Sequence, residues 1–159
     1  MCKVSLSKME LVSAAIVGIM RHIESILGGH KDGAIRADNG WTLHVEGAAA
    51  EMALAKWADR YWSHSVNTFK DGDVGKLQVR VRYKHSYDLV VRDKDSPGDH
   101  YVHMTGLAPN FKIRGWMVGK DAMLDRYRKD PGDKGKPAWF VPSDDLDDDW
   151  DKLFYAISE

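Results

Sequence analysis

One cysteine, Cys2, stands in 159 residues. A single thiol allows no disulfide framework and no cysteine-based zinc site, which points to a reducing, cytoplasmic setting. Long apolar runs are also missing. The most apolar stretch, residues 11–20, is about half the length of a spanning helix, so no membrane association is expected. The opening residues lack a basic segment followed by a long apolar run, and no secretory leader is expected. Charge of one sign is absent too: the net charge is −1, so no overall basic field advertises a polyanionic partner. No Walker-type or dinucleotide-type glycine loop occurs, and no serine sits in a nucleophile elbow. Seven histidines are present, but no pair has zinc spacing.

What is present suits one domain over residues 1–159. At 43% hydrophobic and 30% charged the chain can bury a core and stay solvated, and six Trp with six Tyr supply large core groups. Ser7 and Glu10 have capping-box spacing ahead of a helical apolar stripe, which predicts a first helix over about residues 7–27. Gly28 and Gly29 would end it through a left-handed cap, and residues 28–41 read as a loop. A second helix is expected over 45–62, where Gly47, Ala48, Ala49 and Ala50 would permit close backbone approach. Leu77, Val79, Val81 and Tyr83 then alternate with polar residues, the period of a strand with one buried face. Further strands are expected over 88–92, 100–104, 111–117 and 138–141, with 93–99 (DKDSPGD) as a hairpin loop. Short helices are expected over 120–128 and, in an acidic C-terminal tail, over 146–157. The fold class is α/β in α+β order, a central mixed or antiparallel sheet flanked by helices.

One constellation carries chemistry. Glu51 lies on the second helix, Asp73 just before the alternating strand, and Gln78 and Arg80 two apart on it, hence on one face. Converging carboxylates with a nearby cation are what a metal-dependent phosphodiesterase needs: the metal polarises the phosphate and the cation stabilises developing charge. Here the chain resembles the PD-(D/E)XK nuclease-like superfamily, small phage-encoded members in particular. The pattern of a helix with G-x-x-x-E, an Asp, then D/E-x-K on a strand reads Gly47…Glu51, Asp73 and Gln78-x-Arg80. Phe111-Lys-Ile-Arg-Gly-Trp116 and Pro137-Ala-Trp-Phe-Val-Pro142 look similar too, and the likeness extends over most of residues 10–145. The resemblance implies a restriction-endonuclease-like core and Mg²⁺- or Mn²⁺-dependent DNA hydrolysis in a host cytoplasm. Glu51, Asp73 and Gln78 would hold metal, and Arg80 would attend the phosphate.

Two departures keep a second reading open. Gln78 brings no charge to a metal, and Arg80 stays protonated, so it cannot act as a general base. The alternative is a degenerate nuclease-fold protein that binds nucleic acid or a protein without hydrolysis. Arg80, Arg82, Lys84 and His85, with Arg92, Lys112 and Arg114, could form a phosphate groove in which Tyr83, Tyr87 and Trp116 stack on bases. An ordinary mixed-charge sheet face accounts for the same residues. His44 and His85 lie near the proposed site, and Glu46 could charge the first turn of the second helix. The acidic run over 143–151 (SDDLDDDWD) reads as a solvated face, or as a screen for that groove. Oligomeric state is left open, a homodimer included.

Overall fold

The computed structural model describes residues 2–28, 40–66 and 72–158. Its elements are β1 (Cys2–Ser5), α1 (Lys8–Leu27), α2 (Gly40–Trp57), β2 (Leu77–Arg82), β3 (Leu89–Val91), β4 (His100–Leu107) and β5 (Asn110–Val118). There follow α3 (Gly119–Ala122), β6 (Arg128–Lys129), β7 (Ala138–Val141) and α4 (Trp150–Ser158). A four-stranded sheet in the order β1-β5-β4-β2 forms the centre, with β2 parallel to β4 and the other pairs antiparallel. A small antiparallel sheet, β3-β7-β6, stands apart from it. This is the expected mixed α/β architecture. Among the described residues no helix is long and apolar enough to cross a membrane.

α1 begins as its sequence demands: Glu10 N–H donates to Ser7 Oγ at 3.3 Å, and Ser7 N–H donates to Glu10 Oε2 at 2.6 Å. Its end differs from expectation. Gly28 keeps right-handed geometry (φ −78°) and its N–H still reaches Glu24 O at 2.8 Å, so helical bonding outlasts the last turn without a left-handed cap. α2 starts at Gly40 rather than Val45 and ends at Trp57 rather than Trp62. Glu46 is therefore outside the first turn, and its carboxylate accepts the Ala108 N–H at 2.9 Å. Most of the expected 28–41 loop, residues 29–39, lies outside the described residues.

Of the small residues of α2, Ala48, Ala49 and Ala50 are fully buried against their neighbours but Gly47 is not, and α1 comes closest to α2 at its own Gly18. A Cβ at Gly18 would lie 2.5 Å from Val45 Cα, whereas one at Gly47 would meet nothing within 4 Å. Gly18→Ala is accordingly expected to cost about 1–3 kcal/mol by forcing the helices apart. Gly47→Ala should stabilise by roughly 0.5–1 kcal/mol, since alanine orders less chain entropy in a helix. Urea denaturation of both variants checks the opposite signs.

Residues 93–99 do not close a hairpin. Asp95 Oδ2 takes the Arg92 N–H at 2.9 Å, Asp99 O takes the Gly119 N–H at 2.8 Å, and Pro97 O takes the Lys120 N–H at 2.7 Å. The loop is thereby stapled to the start of α3 and carries the chain from the small sheet to the large one. β3 pairs with β7, and β4 lies beside β2. Cys2 lies in β1, which pairs with β5 and buries Val4. The expected helix over 120–128 is split into α3 and a 3₁₀ turn at Asp125–Tyr127.

The main core joins Leu54 of α2 to Leu77, Val102, Met104, Phe111 and Ile113 of the sheet and Leu153 of α4. The acidic run is structural rather than a free tail. Asp147 exchanges backbone hydrogen bonds with Trp116 (2.9 and 3.0 Å), Asp145 accepts from the Tyr127 hydroxyl at 2.8 Å, and Asp149 Oδ1 caps α4 at Lys152 N–H, 3.0 Å.

Candidate functional site

β2 is an edge strand, so one side of its backbone has no strand partner. The turn before it fills part of that gap. Val74 and Leu77 exchange backbone hydrogen bonds at 3.1 and 3.0 Å around Gly75, whose φ of +61° suits glycine. This turn swings Asp73 onto the edge, where its Oδ2 accepts the Val79 N–H at 2.7 Å.

Glu51 reaches the same place from α2. It is 7% exposed, and a fork from Arg21 of α1 engages both its oxygens, Nη1 to Oε1 at 2.6 Å and Nη2 to Oε2 at 2.8 Å. The Trp62 indole donates to Oε2 at 3.1 Å, and Arg21 Nε is anchored on Ser65 O at 2.8 Å. Arg80 stands 3.9 Å from Asp73 and donates to Asp95 Oδ1 at 3.1 Å, with its guanidinium 5.0 Å from the centre of the Tyr101 ring. Gln78 occupies the neighbouring polar position on β2, opposite Tyr101 in register and half-buried.

Glu51, Asp73 and Arg80 thus come together, and the sequence reading missed Arg21, Trp62 and Asp95. Arg21 had left a trace: it is the first charged residue after the uncharged run 11–20 of α1. Asp95 and Trp62 had left none.

Burial, and then the negative charge of Glu51, push the Asp73 carboxyl up to about 6; the Val79 N–H, Arg80 and Arg21 pull the other way. With the folded value above the ordinary 3.8, the contribution of Asp73 is intact below pH 3.8 and is lost as pH rises through about 6. Asp73→Asn keeps an acceptor for Val79 and removes the charge. It should therefore raise stability at pH 8 by about 1–2 kcal/mol, after allowing for screening at this partly exposed site, and change little at pH 3.5. Thermal unfolding at the two pH values measures the difference.

A divalent ion does not fit the cluster as it stands. Mg²⁺ and Mn²⁺ need free carboxylate oxygens, and both of Glu51's are held by a guanidinium. Among the described residues no group of three or more His, Cys, Asp or Glu side chains is placed to hold a metal. The carboxylates are instead braced by arginines of the chain itself, Arg21 on Glu51 and Arg80 between Asp73 and the closer Asp95.

A second feature continues along the same strand. Arg82 shares the face of Gln78 and Arg80, and its guanidinium lies 4.7 Å from the Tyr87 ring centre. The Tyr83 and Tyr87 hydroxyls are 3.0 Å apart, their rings meet edge to face, and Lys84 Nζ lies 5.7 and 5.5 Å from the two ring centres. His85 Nδ1 is 2.7 Å from Thr105 Oγ1. Desolvation, then the charges of Lys112 and Arg114, hold its pKa below the usual histidine range. A groove of about 500 Å³ opens beside it, lined by Lys3, Ser5, Tyr83, His85, Asn110 and Lys112.

Trp116 does not join this surface. It is 5% exposed and its indole donates to Asp149 O at 3.1 Å, so it is a core ring and no stacking platform. His44 packs against the His22 ring at 5.1 Å between the helices. His103 is buried, with its ring nitrogens on Arg80 O (3.3 Å) and Tyr87 O (2.9 Å). Burial lowers the His103 pKa and favours the neutral ring, whose single N–H suits the shorter contact to Tyr87 O, so His103 ties the tyrosine pair to β4.

Comparison of the chain with protein-family models, with curated proteins and with solved structures finds no significant match in any of the three.

Proposed function

We propose that this chain is a nucleic-acid-binding protein of PD-(D/E)XK nuclease-like layout that holds a single-stranded segment without hydrolysing it. The observation that carries this reading is the two-pronged bond of Arg21 to Glu51. In the resemblance Glu51 is a metal ligand, and here its charge is already balanced by a cation from the chain itself. Freeing it for a metal would break both fork bonds from the half-buried Arg21, which costs several kcal/mol. Arg80 replaces the lysine of the pattern and is drawn towards Asp95 and Tyr101. The binding surface would be Arg82, Tyr83, Lys84, His85 and Tyr87. Aromatic faces there take bases, the cations beside them take phosphates, and neither contact needs a metal. The resemblance to phage proteins supports DNA in a host cytoplasm as the partner.

A Mg²⁺- or Mn²⁺-dependent DNA nuclease is the second reading, favoured by one observation. Glu51 and Asp73 are close enough for the first to raise the pKa of the second, a repulsion that a dication would relieve. Calorimetric titration of Mg²⁺ and Mn²⁺ into the wild type and Asp73→Ala, alone and with an oligonucleotide, separates the two. No saturable metal binding is expected on the first reading. Binding that is lost in the variant would replace it with the second.

A further inference from the structure

α1 has two faces, and among the described residues only one is covered. Ala14, Val17, Gly18, His22 and Ser25 are buried in the molecule's interior, and Arg21 is turned in to Glu51. The opposite face is apolar and open: Met9 is 70% exposed, Val12 42%, Ile16 55%, Ile19 41%, Ile23 41% and Ile26 57%. Their spacing is three, four, three, four, three, the strict repeat of a coiled-coil seam, whereas a helix that simply faces its own core has a broader stripe. Met20 and Leu27, also exposed, flank the seam.

We infer that this face is the contact between two copies of the chain, packed α1 against α1 about a two-fold axis. The repeat itself argues for the occupant. Knobs at alternating three- and four-residue steps need holes with the same steps, and a second α1 supplies them. Antiparallel pairing sets Ile16 against Ile19, Val12 against Ile23 and Met9 against Ile26 of the other copy, which makes the seam self-complementary and opposes the helix dipoles.

Area agrees. The exposed fractions of the eight side chains amount to roughly four whole apolar side chains, on the order of 700 Å² per copy. A specific interface needs about 800 Å² per partner. Trp41, exposed at the start of the adjoining α2 with its ring 4.4 Å from that of His22 on α1, can add to the area. Isoleucine at both seam positions favours three or four strands in free helices, but here the back of each α1 is fixed to its own domain, leaving room for one partner. A lipid surface suits the face less well. Helices that lie on membranes carry lysine and arginine on the polar face, and here the only arginine of α1 is turned inward onto Glu51.

Sedimentation equilibrium of the full chain at about 50 µM, a concentration at which a micromolar dimer is mostly formed, tests the inference. The expected mass is twice 18.0 kDa, falling to 18.0 kDa in Ile16→Glu/Ile23→Glu with the circular dichroism spectrum retained. A monomeric wild type, a trimer or tetramer, or a dimer that survives the double substitution would each overturn it. Wild-type sedimentation alone keeps the inference falsifiable if the variant fails to fold. This inference is independent of the nucleic-acid reading, since none of the seam residues belongs to the proposed binding surface.

Discussion

Arg21→Met is expected to lower the unfolding free energy by about 3–5 kcal/mol, the usual cost of leaving a buried carboxylate without its partner. Glu51 keeps only the Trp62 indole when the fork is gone, and it is 7% exposed. Asp73 loses one of the cations that offset its own burial, so both carboxylates suffer. In a chain of this length each kcal/mol moves the midpoint by about 2–4 °C, which puts the fall at roughly 6–20 °C. The pair is not a net source of stability, however. Arg21→Met combined with Glu51→Leu should recover most of the loss, because two apolar side chains need no compensation. Urea denaturation of the two single variants and the double gives the coupling energy directly. A loss below about 1 kcal/mol in Arg21→Met would mean that Glu51 has access to water, as at an exposed ion pair, and that a metal could reach it.

The second large effect is on binding. Tyr87→Ala should weaken a single-stranded oligonucleotide by about 1–3 kcal/mol, or roughly 5- to 150-fold, and Tyr83→Ala by a similar factor. The two rings are in contact, so the double variant should lose less than the sum. Arg82→Ala acts differently. It removes a phosphate contact as well as the cation beside Tyr87, and the dependence of affinity on salt should become shallower by about one counterion. Fluorescence anisotropy over a salt series distinguishes the two effects. Equal affinity in wild type and Tyr83→Ala/Tyr87→Ala would remove the tyrosine pair from the binding surface.

Parts of the fold that rest on local rules were legible before any coordinates. The Ser7–Glu10 box starts α1, and the alternation from Leu77 to Arg82 builds β2 with its polar face outward. The proximity of Glu51, Asp73 and Arg80 was expected as well, but from the resemblance to the nuclease-like pattern, since strand periodicity by itself places only Gln78 and Arg80 together. What sequence reasoning missed depends on tertiary placement. Nothing in the spacing says that Arg21 will reach Glu51, since that follows from how closely α1 crosses α2, and the crossing is closest at Gly18 rather than at Gly47. The loop 93–99 has hairpin composition, yet its backbone is captured by α3 and by Arg92, which sends β3 to a different sheet. β1 is four residues long, too short for a period to show. Trp116 looked like a stacking ring until the supposed tail folded over it through Asp147 and Asp149. The apolar residues of α1 read as one helical stripe, but they hold two faces, and only burial tells them apart.

The most direct test of the central claim is one gel. A labelled single-stranded DNA oligonucleotide is incubated with the full chain in Mg²⁺, in Mn²⁺ and in EDTA, and resolved under native and denaturing conditions. A shifted complex is expected in all three, with full-length DNA after denaturation. Shortened DNA in Mg²⁺ or Mn²⁺ that is absent in EDTA would contradict the claim, and so would the lack of a shift in every condition.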